Sequence, residues 1–316
     1  MKTKLLTACV AAALLAGCGS DGKDPVKQVQ AYDGAIWGIP GTYSCADGTS
    51  GPIPRTNYDG FANIPGAVDS QVISDPGQCS FSFGLTDAQK ADSSFVVTDT
   101  SNGKNMKNVS YSVPRGFATA GTKVTASPLT TFIALELGNE PYTPEKAKAS
   151  LAKLGIDTDA LTNESGVTLE QLLSDTATAI ETLKANPTVA ATYSKIVATT
   201  HVLSDTLVAK DSATKVITTD SLAASVSKTV TAVTAEFPNY PKSKDGTKEV
   251  VINLVDDIKT SIDSTGDDGV VPDVTVDETK VDDAVVPERP VDPSTPQLVL
   301  AQVLAVTAAA LAINFG

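Results

Sequence analysis

Apolar positions change their spacing several times along this chain, and each change marks a boundary. Residues 5–15 form one apolar run interrupted only by Thr7. Residues 18–31 are mostly polar and read as a tether. From Tyr32 to about residue 125, short runs alternate with Gly, Pro, Asn and Asp: Ala35-Ile36-Trp37, Ser80-Phe81-Ser82-Phe83, Ser94-Phe95-Val96-Val97 and Val109-Ser110-Tyr111-Ser112-Val113. Short strands between turn residues predict a small antiparallel β-sandwich over 32–125.

At Ser127 the period becomes helical. Ser127-Pro128 offers an N-cap followed by proline at the first helical position, where its missing N–H is not needed. Leu129, Phe132, Ile133 and Leu137 follow on one face, with Gly138 as a C-cap. Thr143-Pro144 opens a second helix through Ala147, Leu151 and Leu154. Thr168 and Gln171 form a capping box ahead of Leu169, Leu172, Leu173, Ile180 and Leu183. Three further amphipathic stretches run from Val189 to Leu207, from Leu222 to Phe237 and from Val250 to Ile262. Six such stripes can cover one another, so residues 126–262 are expected to form an all-α domain. The fold class is therefore α+β, segregated: a small N-terminal β-sandwich, then helices.

Residues 263–293 hold ten acidic and two basic residues, with Pro272, Pro287, Pro290 and Pro293 among them. That composition predicts a solvated, extended linker over 263–296. Asp267-Asp268-Gly269 and Asp282-Asp283 lack the alternation of a calcium loop, so solvation is preferred to metal. Residues 297–316 are apolar nearly all round, from Leu298 to Phe315, with Gln302, Thr307 and Asn314 as the polar interruptions. As a helix this run spans about 27 Å, a little short of a bilayer core. Packing on the helical domain is the leading expectation; membrane insertion and docking to a partner are the alternatives.

The first residues fix a location. Met1-Lys2-Thr3-Lys4 supplies basic charge, the following apolar run is of signal-peptide length, and Leu15-Ala16-Gly17 puts small residues before Cys18. The run Leu15-Ala16-Gly17-Cys18 resembles the bacterial lipobox. That resemblance implies removal of residues 1–17, acylation of Cys18 and a membrane-bound product; an ordinary secretory signal is the other reading. Each buried methylene of an acyl chain contributes about 0.8 kcal/mol, so two or three chains hold a soluble body at a membrane. Gly19 stands where an aspartate would resemble an inner-membrane retention signal, so the outer membrane is expected, with the face left open.

Four cysteines are present. Cys9 leaves with the signal and Cys18 carries lipid, which leaves Cys45 and Cys79 to form one disulfide in an oxidising compartment. Two cysteines and the single His201 have no zinc spacing, and no metal or cofactor is expected. The formal net charge is −13, and loss of Lys2 and Lys4 takes it to −15. Such a body repels nucleic acid and anionic lipid.

Tyr32-Asp33-Gly34-Ala35-Ile36-Trp37-Gly38, followed by Thr56-Asn57-Tyr58-Asp59-Gly60-Phe61-Ala62-Asn63-Ile64-Pro65, resembles the transthyretin-like or carboxypeptidase-regulatory-like β-sandwich. Ala126-Ser127-Pro128-Leu129-Thr130-Thr131 is similar to the SPLTT junction of large bacterial surface lipoproteins, in which such a sandwich leads into helices. The resemblance covers residues 32–138 and implies a structural or binding module without catalytic residues. The family's Asp/Asn-rich loop is here Cys45-Ala46-Asp47-Gly48-Thr49-Ser50-Gly51, a departure from its pattern.

No nucleophile elbow, phosphate loop, dinucleotide fingerprint or zincin motif is present. His201 is expected to be a partly buried, hydrogen-bonded histidine on its helix rather than a general base. Tyr32, Trp37, Tyr43, Tyr58 and Phe61 could face a ligand, although aromatics in a small sandwich are more often core. The expected function is a non-enzymatic, membrane-anchored lipoprotein that binds or adheres at the surface, with an envelope protein or glycan as partner. The alternatives are a periplasm-facing assembly factor, which docks a partner through its C-terminal apolar helix, and a carboxylate-based hydrolase.

Overall fold

The structure is a computed structural model that describes residues 25–266 and 269–290. The signal-like segment, Cys18, Asp267-Asp268 and the apolar segment 297–316 lie outside the described residues. The fold is α+β.

The strands of the first half are β1 (Val26–Ala31), β2 (Ile36–Trp37), β3 (Gly41–Cys45), β4 (Ser50–Ile53) and β5 (Phe61–Pro65). A short helix α1 (Gln71–Ser74) precedes β6 (Cys79–Gly84), and α2 (Asp87–Ala91) precedes β7 (Thr98–Asp99), β8 (Ser110–Val113) and β9 (Val124–Ala126). They pair as a four-stranded antiparallel sheet β4-β3-β6-β8, a three-stranded sheet β5-β1-β9 and a ribbon β2-β7. In the three-stranded sheet β1 runs antiparallel to β5 and parallel to β9. The inward side chains of both sheets, among them Val29, Ile64 and Val124 from one and Phe81, Phe83, Tyr111 and Val113 from the other, fill a single core. The disulfide expected between Cys45 and Cys79 joins β3 to β6 at directly opposed positions.

Two boundaries differ from the sequence reading. Strand β1 lies in residues expected to be tether. Its buried positions include Lys27 and Gln30 beside Val29 and Ala31, and the Lys27 ammonium donates to the carbonyls of Thr119 (2.9 Å) and Thr122 (2.7 Å). A strand that buries polar side chains against backbone carbonyls leaves no apolar alternation to detect. The run Ser94–Val97 is a loop, and strand begins only at Thr98.

Helices follow as α3 (Pro128–Leu137), α4 (Pro144–Lys153), α5 (Thr158–Ser165), α6 (Leu169–Ser174), α7 (Thr176–Ala185), α8 (Ala190–Ser212), α9 (Thr219–Glu236) and α10 (Val255–Asp263). The caps read from sequence are formed: Ser127 and Thr130 cap each other reciprocally, as do Thr168 and Gln171, and Thr143 accepts from the Lys146 N–H. The stretch from Thr168 to Leu183 breaks at Asp175 into two helices. Val250–Ile252, expected to open the last helix, is instead a strand, β10. Helix α8 takes the central place in the described helical unit. Every residue from Ile196 to Leu207 is buried, because α3, α7, α9 and α10 all pack on it.

The sheets up to Ala126 and the helices after it follow one another along the chain, and the two parts touch. Val208 of α8 packs on the β core, Phe117 touches both cores, and the Thr131 hydroxyl at the start of α3 accepts the Ser112 N–H of β8 (2.8 Å).

The acidic segment is extended, as expected, but it is docked rather than free. Val271 is buried, and Val274, Val276 and Val281 pack against the helical core. Strand β11 (Val281–Asp283) pairs antiparallel with β10. The chain then crosses to the β unit, where the Val285 N–H donates to Asn102 (2.8 Å), the Tyr58 hydroxyl donates to the Pro287 carbonyl (2.6 Å), and Arg289 pairs with Asp59. Gly103 has φ +81°, and a Cβ there would sit 2.3 Å from the Val285 carbonyl oxygen. Only glycine lets the strap lie this close. Valines spaced among aspartates supply an inward face while the acids stay in water, which composition alone disguises as a linker.

Candidate functional site

The seam between the β unit and α8 carries the densest buried polar chemistry among the described residues. Asp33 lies in the turn after β1, Asp99 at the end of β7, Lys104 in the loop that follows, Tyr111 on β8, and His201, Ser204 and Asp205 along α8. Tyr111 donates to Asp33 Oδ2 (3.1 Å) and shares a 2.6 Å hydrogen bond with the Ser204 hydroxyl. Lys104 Nζ lies 2.6 Å from Asp205 Oδ1 and also donates to the Ile252 carbonyl (2.8 Å), while Asp205 Oδ2 accepts the Leu254 N–H (2.9 Å). One lysine thus holds a helix, a strand and its own loop together.

Two carboxyls here are perturbed. Burial pushes Asp33 well above the usual carboxylate range, and the charge of Asp99 adds to that; the hydroxyls of Ser204 and Tyr111 oppose it without reversing it. Its Oδ1 is buried and has no hydrogen-bond partner. Burial also raises Asp99, to about 6, against the stabilising bonds it accepts from Ser101 and Asn102. Gly34, at φ +88°, brings the two acids together, since a Cβ there would lie 2.1 Å from Asp99 Oδ1.

His201 is buried, as a hydrogen-bonded helix residue was expected to be. Its Nδ1 lies 2.7 Å from the Tyr240 hydroxyl, which in turn accepts the Ile252 N–H (3.2 Å). The ring is also hydrogen-bonded to the Asp33 backbone, and a neutral ring that donates there takes the Tyr240 proton at Nδ1. Burial lowers its pKa to about 3, and Lys104 contributes to that. A neutral ring already committed to Tyr240 serves architecture.

Beside this network is a cavity of about 100 Å³, walled by Tyr32, Asp33, Asn102, Tyr193 and His201, with Glu181, Lys184 and Glu249 at its margin. Of the five aromatics singled out in the sequence, only Tyr32 reaches it. Trp37 and Tyr58 face each other with ring centroids 6.2 Å apart, and the Arg289 guanidinium covers Tyr58 at 4.4 Å. Phe61 lies under Lys123 (5.5 Å), and Tyr43 lies over its cross-strand partner Gly51. The five do not form one patch.

A larger groove, about 870 Å³, opens between the loop ahead of β9 and helices α4 to α6. Its apolar wall is the pair Phe117 and Tyr142, edge to face with centroids 5.0 Å apart, continued by Leu169. Lys123, Lys148 and Glu170 give it a charged rim. The backbone of this wall is fixed by Tyr142 N–H to Arg115 O (3.1 Å) and Gly116 N–H to Gly77 O (2.7 Å). Sequence reasoning missed the groove and found only Tyr32 of the cavity. Phe117 and Tyr142 are isolated aromatics in Gly- and Pro-containing loops, whereas Asp205 did carry a signal as an acid inside the longest apolar helical stretch.

Among the described residues no group of His, Cys, Asp and Glu is arranged to hold a metal ion, and no helix is long and apolar enough to cross a membrane. Comparison of the chain with protein-family models, with curated proteins and with solved structures finds no match.

Proposed function

We propose that this chain is a non-enzymatic lipoprotein, anchored through acyl chains on Cys18, whose body binds a partner at the envelope through the Phe117–Tyr142 groove. The observation that carries this reading is the groove itself. It is concave, rimmed by charge, walled by paired aromatics and held open by backbone hydrogen bonds, which is the make-up of a preorganised recognition surface. The commitment of the only histidine to Tyr240 supports binding over acid–base catalysis. In this reading the two sheets sharing one core form an N-terminal β-sandwich module of the transthyretin-like kind, and the helical unit is built onto it. An outer-membrane location follows from Gly19 after the acylated cysteine.

The test is capture of envelope proteins and glycans on the purified full chain, compared with Phe117→Ala and Tyr142→Ala variants. Retention of a defined partner that both variants lose supports the reading. A parent chain that retains nothing, or variants that retain the same partner equally, overturns it.

A second reading is favoured by one observation: α8 already fills the centre of the described helical unit. In that reading residues 297–316, which lie outside the described residues, serve as a docking segment for a partner in an assembly role, and a chain truncated after Pro296 would keep its fold and lose that partner.

A further inference from the structure

We propose that the Phe117–Tyr142 groove is filled by this chain's own C-terminal apolar segment, residues 298–315, which a partner must displace. The proposal rests on the reading of the groove as a recognition surface and adds what regulates it. Phe117, Tyr142 and Leu169 each pack against the helical core, yet all three stay partly exposed along a groove of about 870 Å³. Apolar area gains from leaving water, so such a groove selects an apolar occupant. Roughly two turns of a helix about 10 Å across fill that volume.

The acidic strap delivers the segment to this side of the molecule. Its last described residues are held at Asp59, where Arg289 Nη1 donates to Asp59 Oδ2 (3.0 Å) and the guanidinium lies 4.4 Å over Tyr58. From Asp59 the path to the groove is short. Its carbonyl accepts from Gln30 Nε2 (3.0 Å), and Gln30 Oε1 lies 3.4 Å from the Thr125 hydroxyl. That hydroxyl donates to the carbonyl of Ser174 (2.8 Å), a residue of the groove wall. Phe61, just beyond Asp59, lies under Lys123 of the groove rim. Residues 291–296, outside the described residues, add up to about 20 Å of extended chain, which covers that path.

The segment itself, also outside the described residues, has a sequence suited to the wall. Drawn as a helix, Leu300, Leu304, Leu311 and Phe315 fall on one narrow face, with Ala301, Ala305, Ala308 and Ala312 beside it. A ridge of large apolar side chains fits between paired aromatic rings as helices fit one another's grooves. A tether this short holds its segment at an effective concentration near millimolar. A second copy has no such advantage, and its formal net charge of −13 repels it from the first. A groove filled about nine-tenths of the time weakens a competing partner about tenfold.

The experiment is disulfide trapping in membrane vesicles that carry the full chain. Asn163→Cys, at an exposed groove position, is combined in turn with Ala301→Cys, Ala305→Cys, Ala308→Cys or Ala312→Cys. Val216→Cys, 97 % exposed and outside the groove, replaces Asn163→Cys as the control. Mild oxidation should link position 163 to at least one of the four within a single chain, and position 216 to none. Adding Leu304→Asp and Leu311→Asp should abolish the link and strengthen partner binding by about tenfold. No link at the groove, equal links at the control position, or links between two copies would overturn the proposal. Loss of the partner on Leu304→Asp and Leu311→Asp would overturn it as well, since the segment then recruits the partner rather than competing with it. A groove link in chains that retain no partner would uphold the contact and sink the proposed function alone.

Discussion

Tyr111 of the four-stranded sheet and Ser204 of the central helix share a 2.6 Å hydrogen bond across the seam between the two units. The same tyrosine hydroxyl donates to Asp33 Oδ2, so one proton chain runs from helix to sheet to turn. Tyr111→Phe leaves the Ser204 hydroxyl and the Asp33 carboxyl short of a partner without changing the packed volume. The expected loss is about 1–3 kcal/mol in urea unfolding. A variant as stable as the parent would show that the seam is held by apolar contact alone.

Lys104 and Asp205 should be coupled more strongly. Asp205 is 1 % exposed, and Lys104→Met strips its Oδ1 of its ion-pair partner. Leaving a buried charge uncompensated costs about 3–5 kcal/mol. Lys104→Met combined with Asp205→Leu should recover part of that, though not all, because the Leu254 N–H loses its acceptor. Strict additivity of the two substitutions in a double-mutant cycle would contradict the pairing.

His201 sets an acid limb of stability. Its folded pKa of about 3 lies below its ordinary 6.5, so the native state binds fewer protons than the unfolded chain between those values. The contribution is full above pH 6.5 and is lost as pH falls toward 3. Asp99 works in the opposite sense: its pKa is raised from 3.8 to about 6, so its contribution is full below pH 3.8 and lost as pH rises through 6. Comparing His201→Gln with the parent isolates the first effect. The variant's unfolding midpoint should fall less steeply between pH 6.5 and 3, and parallel curves would contradict the assignment.

The sequence exposed some elements of this fold and concealed others for physical reasons. Caps are local chemistry, so Ser127, Thr143 and Thr168 were readable from their own neighbours. The disulfide was readable by elimination. Strand β1 was hidden because Lys27 points its ammonium at two distant carbonyls, and β10 was hidden because Val250 and Val251 satisfy a helical stripe as well as a strand. The candidate sites were the least legible part. Asp33 and Asp99 are ordinary acids until tertiary packing buries them side by side.

The acidic strap gives a direct contrast between linker and docked segment. Val271 is buried and the Lys280 ammonium is held by Asp257 at 2.7 and 2.8 Å. Limited trypsin digestion of the native chain should therefore spare Lys280, while Val271→Asp should free the segment and expose it to cleavage. Equal cleavage in the two proteins would return the segment to the status of a solvated tether.

The proposed function holds this body to a membrane by lipid on Cys18. Intact mass spectrometry of the chain extracted from the membrane fraction tests it most directly. The account predicts a product that begins at Cys18 and is heavier than its sequence by a glyceryl group with acyl chains. An unmodified chain free in the medium, or one cut at any other position, would contradict it.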